Sequence, residues 1–343
     1  MDALSLLMDP GITVAIQNIS PALTSFIAPA EVLDSTPWYL LIISVFYLGF
    51  HPRFGIRLIV LFGITVGLNE ALKFFWHLPR PYWISPEVKV FANHPSFGFP
   101  SGAAMYGAVI YGYIITLVRR WWAVLACVLL LVAASLARVF VGVHFVPDIF
   151  GGLIFGFFLL ILFFLAEPRM EKYAGSLSRS GRYIWIIILS AIPLLLVGLA
   201  SLSLADWQLP ASWVEIARQQ TGSQINPVAI QFAWGATGII LGGLAGYEVL
   251  RSQGGWTPPA DLLRKGMVIL AGTVSVLLLN VVIAAIRSIP DLDPPFDQVA
   301  RILSMALVLF WLTACVPLVA QRAGFAADVK EPEAGDARRN DSR

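Results

Sequence analysis

A chain of 343 residues that is 58% hydrophobic and 13% charged is not a soluble protein, whose charged fraction runs nearer a quarter. A net charge of +2, with no Lys/Arg tract in the body of the chain, excludes nucleic acid as a partner. Cys127 and Cys315 both fall inside apolar runs, which excludes a disulfide framework and a cysteine metal site.

The N-terminus has no basic stretch leading into a small-residue cleavage site, so no removable signal peptide is expected. Residues 11–33 are apolar but interrupted by Gly11, Pro21 and Pro29, and residues 1–34 read as an N-terminal interfacial segment. Apolar runs then recur at 37–51, 55–76, 101–118, 121–143, 148–166, 183–204, 227–250, 266–286 and 299–320. Each is about long enough to cross a ~30 Å hydrocarbon layer, which predicts an all-α integral membrane protein of about nine transmembrane helices. Residues 35–166 form a core that holds every reactive side chain, and 167–320 an additional four-helix region that holds none. From 321 to 343 the chain is charged and poor in aromatics, the composition of a disordered tail.

Loop charge orients the bundle. One set of connections carries Arg53, Arg57, Arg119, Arg120, Arg169, Lys172, Arg179, Arg182, Arg251, Arg264 and Lys265, and that face is expected to be cytoplasmic. The N-terminus then lies outside and the C-terminal tail inside. Trp38, Trp121, Trp122 and Trp256 stand at predicted span ends, where aromatic belts form. Gly235, Gly238, Gly242, Gly243 and Gly246 put small residues on the seventh span, which suits close helix packing.

Three polar segments interrupt this oily chain, all at its outer face. The first runs from Lys73 to Arg80-Pro81, with Pro79 and Pro81 breaking the helix between the cations. Taken alone, the two cations read first as side chains snorkelling to headgroups and second as a phosphate site. The second is Pro100-Ser101-Gly102-Ala103, at the start of a span, where free backbone N–H groups make either an anion site or an ordinary N-cap. The third is the most specific: Arg138, Gly142, His144, Pro147 and Asp148. Asp148 is placed to fix one imidazole nitrogen of His144 and leave the other free to attack. Three cations and a helix N-terminus converging on one face point to phosphate or another multiply charged oxyanion.

The spacing of these segments resembles the type-2 phosphatidic acid phosphatase superfamily, which includes membrane lipid phosphatases, glucose-6-phosphatase and vanadium haloperoxidases. Its signature runs Lys-x6-Arg-Pro, Pro-Ser-Gly-His, then Ser-Arg-x5-His-x3-Asp. Lys73 and Arg80-Pro81 match the first element. Arg138, His144 and Asp148 match the third, with Ala137 in place of the usual serine. The resemblance implies that His144 attacks phosphorus to form a phosphohistidine, with Asp148 orienting it. It assigns Lys73, Arg80, Ser101, Gly102 and Arg138 to the phosphoryl oxygens, and it calls for no metal or other cofactor.

One position departs from the pattern. Ala103 stands where the family has the histidine that protonates the leaving alcohol, and a methyl group donates no proton. An engineered His→Ala change that silences the enzyme fits the intact flanks best. A natural pseudo-enzyme, or another acid such as His94 or His77, are the alternatives. The substrate expected is a phosphorylated lipid reaching the site from the membrane; a glucose 6-phosphate-type sugar phosphate is the second choice. A bacterial inner membrane with the site facing the periplasm is the expected setting. The four back spans are left with two roles, as a wall of the pocket or as the contact of a homodimer.

Overall fold

The computed structural model describes residues 8–19, 27–288 and 293–325, and every regular element among them is helical. Most of the predicted 321–343 tail and part of the 11–33 segment lie outside the described residues. What is described of the N-terminal segment is a short helix α1 (Pro10–Ile19) and a 3-10 turn (Ala28–Asp34). The rest runs as α2 (Thr36–Gly49), α3 (Pro52–Trp76), the one-turn α4 (Pro81–Ile84), α5 (Gly102–Val118), α6 (Trp121–Phe140) and α7 (Val146–Ser176). It continues as α8 (Arg179–Ala200), α9 (Ala211–Thr221), α10 (Gln231–Ser252), α11 (Leu262–Arg287) and α12 (Pro294–Phe310). A π-helical turn at Trp311–Cys315 leads into α13 (Val316–Arg322).

Seven helices among the described residues are long and apolar enough to cross a membrane. The other two apolar runs form α2 and α5, of 14 and 17 residues. At 1.5 Å per residue they reach only ~21 and ~26 Å, short of a ~30 Å layer. Both are largely buried. They are inner helices of the bundle, whereas α7, α8 and α11 turn rows of Ile, Leu, Phe and Val outward to form its oily band.

α3 is the hub, packing on α2, α5, α8 and α10, while α5 also packs on α6 and α7. In the back half α10 lies along α12, and a Cβ at Gly242 would collide with the backbone of Ala306. The small-residue face of the seventh predicted span is thus a helix-packing face. Trp256 departs from the interfacial role expected of it. Its ring is buried, and Nε1–H donates to the Leu48 carbonyl at 3.4 Å.

Candidate active site

The first polar segment is built by stopping a helix. α3 ends at Trp76, where His77 caps it in the left-handed region at φ 37°, and the following prolines keep it from resuming. Lys73 sits in its last turn, 6% exposed, so it does not snorkel to the surface. Its ammonium donates to Glu70 Oε1 at 3.0 Å and to Ser96 Oγ at 3.2 Å. Arg80 is 1% exposed at the N-cap of α4. It donates from Nε to the Ser96 carbonyl at 2.6 Å, from Nη2 to Ser96 Oγ at 3.1 Å and from Nη1 to the Val143 carbonyl at 2.9 Å. Ser96 therefore locks both cations, a role that nothing in its own neighbourhood of the sequence announces.

The third segment folds around the end of α6. Arg138 is in the last turn, and its carbonyl accepts from Val143 N and His144 N, both at 3.2 Å. Gly142 makes that reversal at φ +81°, a conformation L side chains rarely adopt. His144 Nδ1 lies 3.1 Å from Asp148 Oδ2, which also accepts from Phe145 N at 2.9 Å. A carboxylate on Nδ1 fixes the proton there and leaves Nε2 with its lone pair. Nε2 lies 3.3 Å from Arg80 Nη1. Burial, reinforced by Arg80, Arg138 and Lys73, holds His144 well below the ordinary imidazole range, so the ring is neutral.

Lys73, Arg80, Gly102, Arg138 and His144 all line one cavity of about 320 Å³. The remaining expected residues stand behind its wall. Asp148 backs His144. Ser101 is fully buried, and its N–H donates to the Asp148 carbonyl at 2.9 Å, tying the second segment to the third. That bond corrects the expectation of a free Ser101 amide for phosphate. Its hydroxyl is a buried atom with no partner and makes no cap hydrogen bond, so the ordinary N-cap reading fails too. Ala103 is fully buried and lies off the cavity lining.

Two further features lie beyond the sequence patterns. The cations are not bare. Arg138 Nη1 donates to Glu31 Oε1 at 2.6 Å, Nη2 lies 3.6 Å from Asp34 Oδ2, and Lys73 is paired with Glu70. Burial raises Asp34 above the ordinary carboxylate range, partly offset by Arg138. The back half is also not inert: Gln231, Gly235, Arg287, Arg301 and Met305 complete the cavity wall. Asp297 holds the two arginines, at 2.7 Å from each. These residues fit a wall of the pocket, one of the two roles left to the back half. Its polar residues lie at helix ends, where they read as loop charge. His77, by contrast, packs against Trp207 and Phe97 and is absent from the cavity lining.

An all-helical integral membrane protein with a buried cluster of cations around a carboxylate-held imidazole is the class that fold and site define. Two family models match the chain: PAP2 superfamily over residues 54–172, and PAP2 superfamily phosphatase, transmembrane extension, over 234–328. The chain belongs to the PAP2 superfamily. It is 31% identical over 128 residues to phosphatidylglycerophosphatase B of Bacillus subtilis, covering 34% of this chain and 59% of that relative. It is 26% identical over 212 residues to sphingosine-1-phosphate phosphatase 1 of Mus musculus, covering 59% of this chain and 47% of the relative. The rat protein of the same name is 25% identical over 184 residues, 51% of this chain and 41% of its own length. The matched stretch thus spans about half the length of these curated relatives. No solved structure matches.

Proposed function

We propose that the chain is a membrane phosphatase that hydrolyses lipid phosphate monoesters or pyrophosphates through a phosphohistidine on His144. The observation that carries this is the convergence of Lys73, Arg80, Arg138 and His144 on one cavity, with Asp148 on the far nitrogen of the nucleophile. Lys73 offers a point charge, and each guanidinium offers a fork for phosphoryl oxygens. To reach the phosphate, Arg138 exchanges Glu31 for a phosphoryl oxygen. Burial of Arg80 makes its attraction for a dianion larger than at a wet surface. Superfamily membership and the printed activities of the relatives support a lipid substrate.

All three polar segments lie at one end of the bundle, and the Arg-rich loops lie at the other. The alternation supports about nine passes, two of them made by the shorter inner helices α2 and α5, with the site on the periplasmic or lumenal face, the N-terminus outside and the C-terminus cytoplasmic. The back spans wall the cavity. A second reading, a silent phosphate-binding chain, is favoured by one observation, the alanine at 103. A missing general acid costs about 10²–10⁴ in rate.

The test is phosphate release from a panel of lipid phosphates, lipid pyrophosphates and glucose 6-phosphate, using the purified chain and its Ala103→His variant. Release by either chain, faster with lipids, is expected. Silence of both on every substrate overturns the phosphatase reading. Release by the variant alone assigns the native chain to the silent class.

A further inference from the structure

The cavity holds a second histidine that the phosphate cage does not use. His94 comes from the loop between α4 and α5 and lines the cavity beside Arg138. Its Nε2 lies 2.9 Å from Glu31 Oε1 and 3.1 Å from Arg138 Nη2. The same Glu31 oxygen accepts from Arg138 Nη1 at 2.6 Å. One carboxylate therefore positions a phosphate-binding guanidinium and an imidazole together. The arrangement repeats the logic of His144 and Asp148: a ring tied by a carboxylate at one nitrogen and open at the other. Nδ1 of His94 has no hydrogen-bond partner among the described residues, and its side chain is 31% exposed where that of His144 is 2%. A partly open ring suits a group that must meet a departing alcohol; a buried one suits a nucleophile.

Attack on an alkyl phosphate expels an alkoxide, a poor leaving group without a proton. Position 103 supplies none. Ala103 is fully buried and lies off the cavity lining, whereas His94 is on it. We infer that His94, oriented by Glu31, protonates the leaving oxygen, a catalytic role that replaces the one the family pattern gives to position 103. The inference rests on the phosphatase reading.

The protons balance. The substrate enters as a monoanion and passes its proton to Nδ1 of His94, while Nε2–H stays on Glu31. As the bond from His144 Nε2 to phosphorus forms, the phosphorus–alkoxide bond breaks, and the alkoxide takes the Nδ1 proton. In the second step a water gives its proton to His94 as its oxygen attacks phosphorus. The nitrogen–phosphorus bond then breaks, and inorganic phosphate takes the proton back from His94 and leaves as the monoanion, which restores both neutral rings. Burial, together with Arg138, Arg80 and Lys73, keeps His94 well below the ordinary imidazole range. A phosphoryl dianion among those cations offsets their repulsion and moves the ring toward its charged form.

Leaving-group dependence tests the role. Purified native chain, His94→Ala and Glu31→Gln are assayed on phosphatidic acid, an alkyl phosphate, and on p-nitrophenyl phosphate, whose phenolate leaves without help. His94→Ala is expected to lower phosphatidic acid hydrolysis about 10²–10⁴-fold and p-nitrophenyl phosphate hydrolysis less than about tenfold. Glu31→Gln, which keeps the volume, should show a smaller loss with the same bias toward the alkyl substrate. An unchanged rate on phosphatidic acid, or an equal loss on both substrates, overturns the inference; equal loss marks a role in holding Arg138. If the native chain is silent and Ala103→His is active, His94 is not the donor while the phosphatase reading stands. Silence of both chains removes the reading as well.

Discussion

Asp148 Oδ2 serves two donors, the His144 ring and the Phe145 amide, so it fixes the imidazole proposed as nucleophile and the turn that carries it. Asp148→Asn keeps the size but loses the charge that holds the Nδ1 proton. Turnover is expected to fall about 10²–10⁴-fold while the thermal midpoint in detergent changes little. A drop in midpoint with unchanged turnover per folded molecule would assign Asp148 to structure alone. The depressed pKa of His144 sets a sign for pH dependence. The attacking form is neutral, and a lowered pKa keeps it neutral further into acid. Phosphoenzyme formation, followed by acid quench, should therefore persist below the ordinary imidazole pKa of 6.5. A limb at or above that value contradicts the buried, cation-flanked nucleophile. Most of these residues are legible in the sequence because their roles sit within short fixed spacings: Lys73 to Arg80, Arg138 to His144 to Asp148. Glu31, Asp34, Ser96 and Glu70 are not, because each is placed by tertiary packing and belongs to no local pattern.

The elements show the same division. Long apolar runs declare their helices, since a bilayer leaves a spanning backbone few other options. The ends are less exact: α7 continues through Pro168 to Ser176, where charged residues had marked the predicted stop. α9, amphipathic and outside any apolar run, leaves no hydropathy signal, although it packs on α4 beside the site. The glycines of α10 are legible as a packing face but not their partner, which turns out to be α12. Gly242→Leu tests that contact. The side chain would enter the backbone of Ala306, so a loss of about 1–3 kcal/mol or more is expected in detergent unfolding. Activity should fall with it, because Gln231 and Met305 on these two helices face the cavity. Unaltered stability would mean that the two helices are separable.

At the scale of the molecule, charge separates the two ends. One end carries the cavity lined by Lys73, Arg80, Arg138 and His144. The other holds a lattice of ion pairs that joins α3 to α7 and α8 to α10, with Arg57 on Glu167 at 2.5 Å and Arg182 on Glu248 at 2.7 Å. Cysteines introduced singly at Arg120 and at Asp206, in a background lacking Cys127 and Cys315, should label from opposite sides of a sealed vesicle. Labelling from the same side would refute the alternation of crossings. The wall shared by both halves carries a different implication. Lys73, Arg80, Arg138 and His144 come from the front half, while Gln231, Arg287, Arg301 and Met305 of the back half face the same space. On the phosphatase reading, the proposed chemistry and the rest of the cavity wall are thus held on separate stretches of the chain. On that reading, headgroup preference is open to change by exchange of the C-terminal stretch, with Lys73, Arg80, Arg138 and His144 inherited unaltered.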